Sequence, residues 1–99
     1  MRSLALAAVA ASLWWAPPLR AETPVETGER LFEANCAPCH GERISNPNNL
    51  FDLKRLGKDE RARFDKSVRG GKGQMPAWEG TFTDEEFDGI WAYVRSLSD

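Results

Sequence analysis

Both cysteines and the only histidine of this 99-residue chain sit together, as Cys36, Cys39 and His40 in the run NCAPCHG. Three chemistries use thiols at this spacing, and each makes its own demand on the rest of the chain. Structural zinc takes four ligands, whereas three are present here and no second Cys/His pair exists. A thiol–disulfide centre also uses C-x-x-C, but beside a βαβ pattern, and no segment shows the sustained alternation of a strand. The third is covalent haem attachment, for which C-x-x-C-H is the sequence form. A helix end followed by a turn sets two thiols three residues apart along one edge of a macrocycle, where each adds to a vinyl group as a thioether. The next residue, His40, is then directed beneath the ring with its imidazole at the iron, and Pro38 stiffens the turn between the thiols.

Little else in the chain can hold a fold together. The opening MRSLALAAVAASLWWAPPLRAE has a basic Arg2, an apolar run from Leu4 to Ala16, then Pro17–Pro18 and a small residue at Ala21. That is the layout of a secretory signal peptide. A membrane-spanning helix needs about 20 apolar residues; this run is shorter and is closed by two prolines. The expectation is a leader over 1–21 and one domain over 22–99, exported to a bacterial periplasm with no membrane insertion after cleavage. A retained anchor is the alternative. A domain of that size gains a thin margin from its hydrophobic core alone. A disulfide between Cys36 and Cys39 would close too small a loop to constrain the unfolded chain. Covalent haem supplies the missing staple, with two thioethers, an iron bond and an apolar plate to fold around.

Three helical segments are legible. The first covers roughly residues 26–35, with Leu31 and Phe32 as its apolar face and Gly28 one turn before Phe32. A glycine inside a helix costs about 1 kcal/mol relative to alanine, which either a close helix crossing or a frayed first turn would explain. The second runs from about Asp59 to Arg69, its stripe being Ala62, Phe64 and Val68, with Gly70–Gly71 as the stop. The third opens on Thr83–Asp84–Glu85–Glu86, a capping box. It continues with Phe87, Ile90, Trp91, Val94 and Leu97 at helical spacing, flanked by Tyr93. That stripe reads as core facing the first helix. The intervening stretches 41–58 and 70–82 hold nearly all the Pro, Gly and Asn, and loops of that length wrap around something or carry function.

With no second histidine, bis-histidine ligation is excluded. The domain holds one methionine, Met75, within GGKGQMPAWEG and 35 residues after His40. Methionine ordinarily fills gaps in a core. Met75, however, lies in a Gly-rich, Pro-containing loop, with enough chain before it to pass round the ring to its opposite face. His and Met together form the axial pair that raises the potential of cytochromes c. With both axial positions taken by protein, oxygen and peroxide have no site, so the iron exchanges single electrons and no enzymatic activity is expected.

Charge is distributed unevenly. The formal net charge of the whole chain is −2, yet residues 54–72 hold eight basic and three acidic residues, while 22–53 and 73–99 carry −4 and −5. Such a run is ordinarily a solvated helix surface; separated charge can also steer an acidic partner.

The order GERLFEANCAPCHG, NPNNL, GGKGQMPAW and DEEFDGIWAYVRSL resembles the class I mono-haem cytochromes c of the short bacterial type. The resemblance implies an all-α fold, three main helices and long loops wrapped around one covalent haem c. It places Cys36 and Cys39 on the haem, His40 and Met75 as axial ligands of the iron, and Gly28 with Phe32 against the last helix near Tyr93. It sets Pro47 where a proline carbonyl orients the proximal imidazole, and Trp78 over a haem propionate. LFDLKRL, DERARF and GKGQMPAW further resemble small cytochromes that serve quinoprotein alcohol dehydrogenases. They imply a monomeric one-electron carrier between such a donor and a terminal oxidase or another cytochrome, with no nucleic-acid partner. A haem-based sensor or ligand-binding protein, with Met75 displaced from the iron, is the competing function.

Overall fold

The computed structural model describes residues 20–45 and 52–99. Among them are helices α1 (Pro24–Asn35), α2 (Ala37–His40), α3 (Arg61–Gly70) and α4 (Asp84–Leu97), with single 3₁₀ turns at Glu42–Ile44 and Leu53–Arg55. No strand occurs among the described residues, only isolated bridges at Lys72–Met75 and Glu79–Phe82. The all-α expectation therefore holds. The proposed leader, save for Arg20 and Ala21, and the loop residues 46–51 with Pro47 lie outside the described residues.

α1 begins two residues before the expected start, for a reason present in its sequence. Thr23 accepts from the Glu26 backbone N–H at 3.2 Å and the Glu26 carboxylate accepts from the Thr23 N–H at 2.9 Å, with proline in the first turn. This is the same reciprocal cap that opens α4, where Thr83 and Glu86 exchange bonds of 3.1 and 2.8 Å. Both helix starts thus satisfy donors that a bare helix end leaves open. α3 starts two residues later than expected. Glu60 precedes it without a side-chain cap and instead accepts from the Gly57 N–H at 3.1 Å.

The crossing of α1 over α4 organises the core. A β-carbon added at Gly28 would lie 1.8 Å from the Gly89 carbonyl oxygen, and one at Gly89 would lie 2.8 Å from that of Pro24. The backbones are therefore in contact, and of the two explanations for Gly28 the close crossing is correct. The crossing also rotates the buried arc of α4. Phe87, Gly89, Ile90, Tyr93 and Val94 are buried, whereas Trp91 and Leu97 are only partly covered. Tyr93, expected at the flank, is 3 % exposed and sets its ring 5.6 Å from that of Phe32, tilted by 57°. On α3, Phe64 and Val68 are buried but Ala62 is exposed, because the helix lies against α4 along one narrow edge. Phe64 meets Trp91 there at 5.2 Å.

Past α2 the chain turns sharply. Arg43 and Ile44 take φ of 53° and 56°, a left-handed conformation that costs a non-glycine residue roughly 1–2 kcal/mol. The Glu33 carboxylate accepts from the Arg43 N–H at 3.1 Å and from the Tyr93 hydroxyl at 2.9 Å, while Ile44 is driven into the core. Burial and that carboxylate push the Tyr93 phenol up to about 12 from 10.0.

Two outcomes follow from this packing. Gly28→Ala forces the helices apart and lowers unfolding free energy by about 3 kcal/mol, whereas Gly70→Ala, with nothing within 4 Å of the new β-carbon, leaves it within about 1 kcal/mol. A phenol pKa raised on folding adds stability that is fully present below pH 10.0 and is lost as pH rises through about 12. Thermal denaturation between those values should show the wild type losing on the order of 2 kcal/mol more than Tyr93→Phe; parallel curves would refute the burial of that hydroxyl.

Candidate haem site

The end of α1, α2 and the chain between α3 and α4 meet at one cavity of about 400 Å³. A single turn of backbone sets up its reactive edge. Cys36 caps α1 through its N–H to the Phe32 carbonyl at 2.8 Å, and its own carbonyl accepts from the Cys39 and His40 N–H groups at 3.1 and 2.9 Å. Residues 36, 39 and 40 stand at i, i+3 and i+4 of that turn, so their side chains share one face. Cys36 and His40 line the cavity. Cys39 is exposed and is not among the lining residues.

Met75 lines the same cavity, delivered by a tight turn of a separate segment. The Lys72 N–H donates to the Met75 carbonyl at 3.0 Å and the Met75 N–H donates back at 2.9 Å. Gly71, with φ of +81°, permits this turn; a β-carbon there would lie 2.9 Å from the Met75 carbonyl oxygen. The walls between are apolar: Phe32 from α1, Leu53 and Leu56 from the second 3₁₀ segment, Phe64 and Val68 from α3, and Ile90 and Val94 from α4. Polar side chains enter only from Arg63, Ser67, Lys72 and Gln74. The two far walls are tied together, since Arg95 donates to the Leu56 carbonyl at 2.7 Å and Ser98 to that of Leu53 at 2.9 Å.

Burial sets the electrostatics of the turn. Burial, helped by the neighbouring Cys39 and Glu33, pushes the Cys36 thiol up to about 12. A disulfide-exchange nucleophile needs the opposite displacement. Burial also lowers the His40 pKa, favouring the neutral imidazole that binds metal. The His40 ring lies 6.5 Å from that of Phe32. No group of three or more His, Cys, Asp or Glu placed to hold a metal ion occurs among the described residues.

A flat apolar macrocycle thus finds an apolar slot lined by a thiol, an imidazole and a thioether. Residues 23–94 match the family model described as cytochrome C oxidase, cbb3-type, subunit III. Cytochrome c6 of Bryopsis maxima is 38 % identical over 80 residues, covering 71 % of this chain and 88 % of the relative. Cytochrome c6 of Tetradesmus obliquus is 36 % identical over 74 residues, covering 68 % and 83 %. The cbb3-type cytochrome c oxidase subunit FixP of Bradyrhizobium diazoefficiens is 33 % identical over 86 residues, which is 81 % of this chain but 30 % of that subunit. The chain belongs to the small class I mono-haem cytochromes c. As a member of that family it carries covalently bound haem c with its iron, and it is a haem-based electron carrier.

Trp78, expected at the haem, does not line the cavity. Its ring stacks on Phe82 at 5.3 Å and 13°, and its N–H donates to the Val68 carbonyl at 2.9 Å. Pro47 lies outside the described residues. Leu53, Leu56 and the α3 pair Phe64 and Val68 are cavity walls that no motif announced. Their only sequence signal was apolar residues spaced along otherwise charged segments.

Within the basic run, the arginines of α3 are ion-paired. Arg61 pairs with Asp65 and Asp88 at 2.9 and 2.6 Å, Arg63 with Glu60 at 3.1 Å, and Arg69 with Glu79 and Asp84 at 3.1 and 3.0 Å. Lys54, Lys58, Lys66 and Lys72 are exposed, with no ion pair among the described residues. Arg55 is likewise exposed with no ion pair among the described residues, and Lys72 stands at the cavity itself.

Proposed function

We propose that the protein is an exported, monomeric, non-enzymatic carrier of single electrons. Cys36 and Cys39 hold haem c through thioethers, and His40 and Met75 occupy its axial positions. The observation that carries this reading is the meeting of Cys36, His40 and Met75 at one apolar cavity, although 35 residues separate the two axial candidates. The haem, when bound, supplies reversible one-electron exchange between Fe(II) and Fe(III). The chain's own contribution is to close both axial positions against oxygen, keep water from the ring with Phe32, Phe64, Ile90 and Val94, and hold the ligand set fixed between oxidation states. Pro47 is the carbonyl assigned to the proximal imidazole.

The donor we assign is a quinoprotein alcohol dehydrogenase and the acceptor a terminal oxidase; the likeness to an oxidase subunit supports the second. Electron-transfer contacts are small and short-lived, so lysines beside the haem cavity can act mainly by steering an acidic partner. The periplasm is the assigned compartment, with residues 1–21 as the leader. No helix among the described residues is long and apolar enough to cross a membrane.

Intact mass and a spectrum of the purified protein test the attachment. The mass should exceed that of the polypeptide by one haem, and the oxidised protein should show the far-red sulfur-to-iron charge-transfer band, which Met75→Ala abolishes. A wild-type protein lacking that band would favour the sensor reading, and one lacking the added mass would end both. The electron-exchange rate with an acidic redox partner should fall about tenfold from low to high salt, and at low salt by a similar factor in Lys66→Glu/Lys72→Glu. A rate indifferent to salt would refute steering.

A further inference from the structure

Met75 sits on a limb, residues 71–82, that belongs to no helix and yet has to hold a weak thioether ligand in place. Backbone bonds join this limb to the end of α3: Trp78 to the Val68 carbonyl at 2.9 Å and Glu79 to the Arg69 carbonyl at 3.1 Å. Besides a 3.9 Å ion pair with Asp65 on its own helix, the Arg69 side chain reaches in three directions. Its guanidinium donates to the Glu79 carboxylate on the limb at 3.1 Å and to Asp84 in the first turn of α4 at 3.0 Å. It also lies 4.1 Å over the ring of Phe87, which is fully buried. Phe87 meets Phe82 edge-on at 5.6 Å, and Phe82 stacks on Trp78. One cation therefore grips the Met75 limb twice, through a carboxylate one residue past Trp78 and through an aromatic ladder ending on Trp78.

We propose that Arg69 is a positioning residue for the methionine side of the haem: it keeps the limb closed so that Met75 stays on the iron. The proposal rests on the ligation of iron by Met75 set out above. Its partly exposed ion pairs alone would add little. A guanidinium held among three carboxylates and seated on a buried aromatic face is a stiffer tether than any single pair. Arg69 acts on the open–closed balance of the limb, and the apparent affinity of any competing ligand scales with the open fraction.

Imidazole titrated into the haem-loaded, oxidised protein measures that fraction, read as loss of the far-red charge-transfer band. Global unfolding is followed in parallel by far-ultraviolet circular dichroism. Imidazole should bind about tenfold more tightly to Arg69→Gln and about threefold more tightly to Glu79→Gln than to wild type, with Arg69→Lys between. Glu79 is exposed, so Glu79→Gln tests the limb without endangering the fold. An imidazole affinity unchanged in Glu79→Gln and Arg69→Gln, with only the unfolding midpoint lowered, would reduce Arg69 to a structural ion pair and overturn the proposal. A wild-type protein without the charge-transfer band would instead overturn Met75 ligation, and the clamp with it.

Discussion

The backbone contact between Gly28 and Gly89 is the constraint from which the rest of the architecture follows. Two helices without side chains at their crossing can approach until carbonyl meets α-carbon, and that separation fixes where every later residue of each helix lies. On α1 it carries Phe32 inward and aims the C-terminal end, with Cys36 and then His40, at the second half of α4. On α4 it brings Ile90 and Val94 round to face them. A pair of larger residues at the crossing would open the angle between the helices, and the wall bearing the thiol would leave the wall bearing the aliphatic side chains.

The core built on that crossing is continuous with the haem cavity. Phe32, Leu56, Phe64, Val68, Ile90 and Val94 belong to the buried cluster and to the cavity lining alike. The macrocycle thus adds to the core of a small domain whose own apolar burial leaves a thin margin. The same burial sets the chemistry of the site, raising the Cys36 thiol and lowering the His40 imidazole pKa. Both shifts suit groups that end as a thioether and a neutral ligand. Only Arg63 and Lys72 bring cationic side chains to the cavity, while Arg61 and Arg69 of α3 serve the fold through Asp65, Glu79, Asp84 and Asp88.

How much of this was readable in the sequence depended on whether the signal was local. C-x-x-C-H and the α4 capping box are local signals; the box stands where expected, and the turn of the first brings Cys36 and His40 to the cavity. The first capping box, Thr23–Pro24–Val25–Glu26, was equally local, and its signal lay in the same spacing as that of α4. The crossing was half visible. Gly28 signalled a close approach, but Gly89 lies inside a helical pattern where only large apolar residues were read, so the buried arc of α4 was set one position from the true one and Tyr93 was placed at its flank. Ala62 was credited to a stripe by type, although tertiary contact decided which edge of α3 was covered. The left-handed pair Arg43–Ile44 had no sequence signal, because Glu33 and Tyr93, which hold it, come from two other helices. For the same reason Trp78 could not be placed: its stacking partner Phe82 and the latter's support, Phe87, lie across a loop and a helix start.

The central claim is that one cavity holds an imidazole and a thioether on opposite faces of one ring. Proton magnetic resonance of the reduced, haem-loaded protein tests it most directly, because a methyl group held over a macrocycle face experiences the ring current. The account predicts a three-proton Met75 methyl signal displaced far upfield of every ordinary aliphatic resonance, absent from Met75→Ala. A reduced protein in which that methyl resonates among the ordinary aliphatic signals would contradict it.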